Sequence, residues 1–191
     1  MYILDPYTQT AARVTEEGFL TTKAVHISND ERAAEIGDSF IIHVRCHLAA
    51  AVSGGLLHFV NTSSLYMYHL TRLYFDAHKL TKNIIITHYK NATRANGTAY
   101  TSVVTKEFAS PNVPEYTLYA SDGSSDLTLT GGSAMHAFPL SNMTSTMRDM
   151  NGTNILKQNN SLSFGWETFD GAAATDGEIV SLSLNFFRDA I

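Results

Sequence analysis

A single cysteine, Cys46, stands among 191 residues, so no intramolecular disulfide framework is available. Charged side chains make up only 16% of the chain, where soluble domains usually carry roughly 25%. The net charge of −5 argues against a surface that wraps nucleic acid. No run approaches the roughly 18 apolar residues of a membrane span, so no membrane partner is expected. The first twenty residues have neither a basic n-region nor an apolar h-region. A secretory leader is therefore not expected, and folding without an oxidising compartment follows. No G-x-S-x-G elbow occurs. The pairs Gly54-Gly55 and Gly131-Gly132 lack the following Lys and Ser/Thr of a phosphate-binding loop.

Ser, Thr and Asn fill the space that charge leaves, with 17, 21 and 12 residues. Hydroxyls and amides in place of Lys and Glu suit strands and turns better than helices. An apolar content of 44% excludes intrinsic disorder and is enough for one core. Residues 1–37 differ from the rest, because apolar positions are sparse there. They read as an extended N-terminal arm, interrupted by an edge-strand candidate at residues 18–27 and a short helical turn over Asn29–Glu35. Fully extended, about 35 residues reach up to about 115 Å.

From Ser39 the period is two. Phe40, Ile42, Val44 and Cys46 alternate with Ile41, His43, Arg45 and His47. Leu57 and Phe59 flank His58. Ile84, Ile86 and His88 alternate with Ile85, Thr87 and Tyr89. Val180, Leu182, Leu184 and Phe186 form the cleanest strand, alternating with Ser181, Ser183, Asn185 and Phe187. Turn signals fall at Ser53-Gly54-Gly55, Asn61-Thr62-Ser63-Ser64, Asn96-Gly97, Ser121-Asp122-Gly123, Gly131-Gly132, Asn151-Gly152 and Asp176-Gly177. About eight to ten strands are expected in residues 38–191. Longer connections near 91–98, 107–114 and 139–154 favour an all-β antiparallel β-sandwich of jelly-roll or Greek-key type. A second helical candidate covers residues 143–150.

Chemistry is harder to find. His43 and His47 share a strand face but lie about 13 Å apart, too far for one metal. His58, His69 and His88 could meet across strands, with no acidic residue placed near them in sequence. Cys46 falls on a buried face, where thiols are inert packing groups. Glu167, Asp170, Asp176 and Glu178 cluster where turn chemistry already accounts for them. No catalytic, cofactor-binding or metal-ligating residue is assigned, no cofactor is expected, and an enzyme is not expected. Six N-x-S/T sequons, at Asn61, Asn91, Asn96, Asn142, Asn151 and Asn159, are read as loop markers. Arg72, Lys79, Lys82, Lys90, Arg94 and Lys106 form either a solvated, aggregation-resistant edge or a docking face for an acidic partner. Tyr66, Tyr68 and Tyr74 on one face, with Trp166 added in composition and not by any shared face, could form a sugar-binding platform, half-buried sheet packing or a subunit interface.

Several segments together resemble a family of small tailed-phage virion proteins. They are Gly18-Phe19-Leu20, Ala33-Ala34, and Gly37-Asp38-Ser39-Phe40 opening the first core strand. Leu56-Leu57-His58-Phe59-Val60-Asn61 follows, then Tyr68-His69-Leu70-Thr71-Arg72-Leu73-Tyr74 and a loop with Asn91, Asn96, Gly97 and Thr98. The chain departs from that pattern at Asn91-Ala92, where the family often has Asn-Pro. The resemblance is to capsid decoration (cement) or head accessory proteins and covers most of the chain at the level of pattern. It implies a jelly-roll or similar core, no catalytic residues, a homotrimer, and the major capsid protein as partner. The expected location is the capsid surface of a virion, after synthesis in a bacterial cytoplasm. Two other classes stay open. One is a host-recognition or carbohydrate-binding module of a tail or head fibre; the other is an enzyme such as a cupin or polysaccharide depolymerase.

Overall fold

Alternation along β4 and β7 puts every second side chain on one face, and two sheets bury such faces against each other. The computed structural model describes residues 2–4, 11–14, 20–21, 29–101, 104–105 and 110–191. In chain order the elements are β1 (Tyr2–Leu4), β2 (Ala11–Val14), β3 (Leu20–Thr21), α1 (Asn29–Glu35), β4 (Ser39–Leu48), β5 (Ser53–Asn61), β6 (Tyr66–Lys79) and β7 (Ile84–Lys90). There follow β8 (Thr93–Ala95), β9 (Thr98–Tyr100), β10 (Val104–Thr105), β11 (Tyr116–Ala120), β12 (Thr128–Thr130), β13 (Ser133–Leu140), β14 (Ser145–Leu156), β15 (Ser161–Thr168) and β16 (Glu178–Ala190).

One sheet runs β10-β4-β16-β6-β14 and the other β13-β7-β15-β5-β11-β9. All pairings are antiparallel. The chain crosses between sheets at each step from β4 to β7 and again from β13 to β16. Eight strands, β4-β16-β6-β14 against β5-β15-β7-β13, thus form a jelly roll. The remaining strands of the body belong to one insertion, residues 91–132. Its β9 and β11 widen the six-stranded sheet, β10 pairs with β4, and β8 and β12 form a separate ribbon.

Between the sheets lies an aromatic centre. Phe186 stands 5.4 Å from Phe40, 5.4 Å from Phe59 and 5.1 Å from Tyr68, while Phe75 meets Phe138 and Phe164 at 5.4 and 5.3 Å. These offset and edge contacts suit the ring quadrupoles. The residues of β4 expected to face inward do so, Cys46 among them.

Several local expectations are corrected. Ser53-Gly54-Gly55 opens β5 rather than forming a turn. A Cβ on Gly55 would lie 2.7 Å from the Leu127 carbonyl oxygen, which accepts the Gly55 N–H at 2.9 Å. This glycine serves close approach of the insertion to the sheet. Asn151-Gly152 lies inside β14, in a bulge between Asp149 and Asn154, and residues 145–150 of the helical candidate belong to that same strand. The connection at 91–98 holds β8 and a tight turn at Asn96-Gly97, both with positive φ. That at 139–154 is mostly β14, and residues 107–109 of the third connection lie outside the described residues.

Much of the expected arm also lies outside the described residues. Within it, Leu20–Thr21 pairs with β2, and β2 with β1. α1 is capped by Gly37 at φ 74, the left-handed position that ends many helices. Its Ala33 is buried, and α1 packs on β16 and β4. Helix α1 is the short helical turn expected over Asn29–Glu35, and it packs against the sandwich.

Candidate interaction surfaces

The histidines are dispersed. His58 lies on the outer face of the six-stranded sheet, buried, with Nδ1 2.8 Å from Ser163 Oγ. Burial, then the Arg94 charge, lowers its pKa. His69 lies on the outer face of the other sheet, stacked on Phe187 at 4.7 Å. His88 points into the core beside Phe164. Three different faces hold these three side chains, so they do not meet. His43 pairs with Ser183 Oγ at 2.8 Å, and His47 packs against Gly123. Among the described residues, no group of three or more His, Cys, Asp or Glu is arranged to hold a metal.

His88 has a measurable consequence. Burial first, and the neighbouring His136 second, lower its pKa from 6.5 to about 4. The unfolded chain takes up a proton near pH 6.5 that the folded imidazole refuses until about 4. Stability is therefore intact above pH 6.5 and falls as pH drops through that window. The loss reaches about 3 kcal/mol, at roughly 1.4 kcal/mol per pH unit. Urea unfolding at pH 7.0 and 4.0 checks this, with His88→Phe expected to remove most of the His88 share of the slope.

The four carboxylates have separate settings. Asp170 pairs with Lys82 at 2.7 Å, and that hydrogen bond lowers its pKa. Glu178 is buried and accepts from Thr81 Oγ1 and from the Thr175 N–H. Asp176 is exposed in its turn, and Glu167 is exposed on β15. Burial drives the Cys46 thiol up to about 12, which removes it as a nucleophile. The basic residues do not converge. Arg72 lies 3.9 Å from Asp149 on the five-stranded sheet, Lys82 sits before β7 and Lys90 at its far end, and Arg94 covers the Tyr119 ring at 3.1 Å. Lys106 lies outside the described residues.

Of the readings weighed for Tyr66, Tyr68, Tyr74 and Trp166, a shared aromatic platform is not what the structure shows. Tyr68 and Trp166 are core residues, 0% and 3% exposed. Along β6 the register slips by one residue between the pairs Asn185–Arg72 and Phe186–Leu70. The extra residue, Thr71, inverts the alternation, so Tyr74 faces outward where Tyr66 and Tyr68 face inward.

Two surfaces emerge instead. The first lies at the end where β4 and β6 begin and β16 finishes. Arg188 donates to Asp38 at 2.7 Å and to the Val113 carbonyl at 3.3 Å, with its guanidinium 4.3 Å from the centre of the Tyr66 ring. Asn112 donates to Asp38 and to the Ile36 carbonyl, and the Ile191 N–H donates to Leu65. This polar network draws together Ile36, Leu65, Val113 and Ile191, which are 61%, 63%, 67% and 73% exposed. Four bulky apolar side chains left in water around one fixed ion pair are a feature of contact surfaces. Residues scattered at 36, 65, 113 and 191 leave no local signal in the sequence.

The second surface is a groove of ≈ 440 Å³ on the outer face of the six-stranded sheet. Its floor is Thr87 and Tyr89 of β7, Gly165, Trp166 and Glu167 of β15, and Ser53 and Gly54 of β5, the largely buried Trp166 indole reaching it beside Gly54; Leu127, Thr128, Leu129 and Gly131 wall one side. A Cβ on Gly165 would come within 3.1 Å of the Tyr89 ring, so the glycine lets the ring lie close against the sheet. The groove thus combines an aromatic surface with hydroxyl groups and the exposed Glu167 carboxylate. Sequence alternation places Tyr89 outward, but its glycine neighbour arrives from a strand 76 residues on.

No family model matches the chain, and no curated protein and no solved structure matches it.

Proposed function

We propose that the protein is a virion structural protein, a decoration (cement) subunit that binds the outer surface of a phage capsid and bridges neighbouring major capsid subunits. The observation that carries this reading is the apolar end face of Ile36, Leu65, Val113 and Ile191, set beside the helix α1 that follows the N-terminal segment. A jelly roll whose strands β6 and β16 pair through to that end, with a polar network fixed across it, offers a rigid body with a fixed adhesive end. Apolar contact there would supply the docking energy, and the segment before α1 would reach an adjacent subunit. Sharing among three copies would multiply modest contacts. The protein would then act as a clamp against outward pressure, as a homotrimer and without a cofactor.

Co-sedimentation with undecorated heads, alongside light scattering on a sizing column, tests this reading. The full chain is expected to pellet with heads, and Leu65→Asp combined with Val113→Asp to weaken that binding by about a hundredfold, as two buried apolar anchors are each worth roughly 1.5 kcal/mol or more. Failure to pellet overturns the proposal. The groove beside Tyr89 favours a second reading, a carbohydrate-binding module of a fibre. Retention on a glycan surface, lost in Tyr89→Ala, together with failure to pellet, would replace the first reading by the second.

A further inference from the structure

At one side of the jelly roll the edge strand β13 of one sheet lies beside the edge strand β14 of the other. A cavity of ≈ 280 Å³ enters the sandwich there. Leu70 and Leu156 line it from one sheet, Leu162 and His88 from the other, with Met135, Ile155 and Lys90 also contributing. His88 is 2% exposed, and its Nδ1 is buried with no hydrogen-bond partner among the described residues. A buried imidazole nitrogen without a partner is costly in a finished core. Lining a cavity, it is a hydrogen-bonding position ready for a ligand.

The rest of the lining narrows the chemistry. Lys90 follows His88 by two residues on the same strand face, about 6.6 Å further along. Asn154, Asn160 and Ser161 add polar groups, and among the described residues no carboxylate lines the cavity. Leu70, Leu156 and Leu162 are fully or nearly fully buried, whereas Met135 and Ile155 are 41% and 42% exposed. The cavity thus has a cationic and hydrogen-bonding wall and an apolar remainder. At roughly 30 Å³ per water-sized group, it holds about nine such groups.

We propose that this cavity binds a medium-chain monocarboxylate. One carboxylate oxygen accepts from the Lys90 ammonium and the other from the His88 Nδ1–H, while the hydrocarbon lies against Leu70, Leu156, Leu162 and Met135. The site is independent of the end face and of the Tyr89 groove, so it stands whichever reading of the function holds.

Calorimetric titration of the full chain with sodium octanoate, below its micellar range, and separately with octan-1-ol tests the assignment at pH 7. Octanoate is expected to saturate one site and to bind about tenfold more tightly than the alcohol, because the charge-assisted bonds are made only by the acid. Lys90→Gln, a change at an exposed position, is expected to weaken octanoate about tenfold and leave octanol unchanged. Met135→Trp, which fills the mouth, is expected to abolish both. Equal affinity for acid and alcohol, insensitivity to Lys90→Gln, or no saturable binding of octanoate would each overturn the proposal.

Discussion

Replacing Phe59 by alanine is expected to lower the unfolding free energy by about 3–5 kcal/mol, the usual range for a buried phenylalanine. Its ring is fully buried and touches three others, Tyr68 at 6.1 Å, Tyr116 at 5.5 Å and Phe186 at 5.4 Å. Phe59 belongs to one sheet, and Tyr68 and Phe186 belong to the other. The void would therefore open at the contact that joins the two layers, where strands paired on both sides cannot readily collapse into it. Total stabilities of about 5–15 kcal/mol make this a large fraction of the whole. Urea denaturation followed by fluorescence gives the number, with Phe169→Ala as the control. Phe169 is 72% exposed, so its loss should stay within about 0.5 kcal/mol. A Phe59→Ala loss below about 1.5 kcal/mol would show that this ring does not bridge the sheets.

How much of this was legible in the chain depends on the range of the interaction. The alternation in β4, β7 and β16 is local, so the buried faces of Phe40 to Cys46 and of Val180 to Phe186 could be read directly. Asparagine also spoke locally. Asn91, Asn96 and Asn159, read as loop markers, adopt φ of 56, 58 and 62, the left-handed region that Asn tolerates in turns. Reading failed where a distant partner decides. Thr71 inverts the parity of β6 only because β16 and β14 slip past it, which leaves Tyr68 in the core, Tyr66 half-buried on the same face and Tyr74 on the outer face. Gly55 looked like a turn glycine because its reason, the Leu127 carbonyl, lies 72 positions away. The same holds for the surfaces. The end face needs four residues from four segments, and the groove needs Gly165 opposite Tyr89. The cavity needs His88 from one sheet and Leu70 from the other, although alternation alone already placed His88 inward.

Asn61 is the position where the smallest change in shape is expected to cost most. Its side chain is buried at the end of β5. Its Nδ2 donates to the carbonyls of Tyr66 and Leu156, both at 2.9 Å, and its Oδ1 accepts the Ser63 N–H at 2.8 Å. One amide thus closes the turn from β5 into β6 and ties it to the end of β14. Only an amide offers two donors and an acceptor in that arrangement. Asn61→Ala would leave these backbone groups without their partner, at about 1–3 kcal/mol for each one that stays unsatisfied. Asn61→Asp keeps the shape but turns a carboxylate oxygen toward two carbonyl oxygens. An uncompensated buried charge costs roughly 3–5 kcal/mol, so the isosteric variant is expected to be no more stable than the truncated one at pH 7. The two should then converge as pH falls. Protonating the introduced carboxyl removes its charge and restores one donor, and the folded state takes up that proton at higher pH than the unfolded chain because the charged form is disfavoured there. Urea midpoints for both variants at pH 7 and pH 4, each referred to the unsubstituted protein at the same pH, would show this convergence. An Asn61→Asp protein as stable at pH 7 as the original would mean that the Nδ2 group does not face the Tyr66 and Leu156 carbonyls.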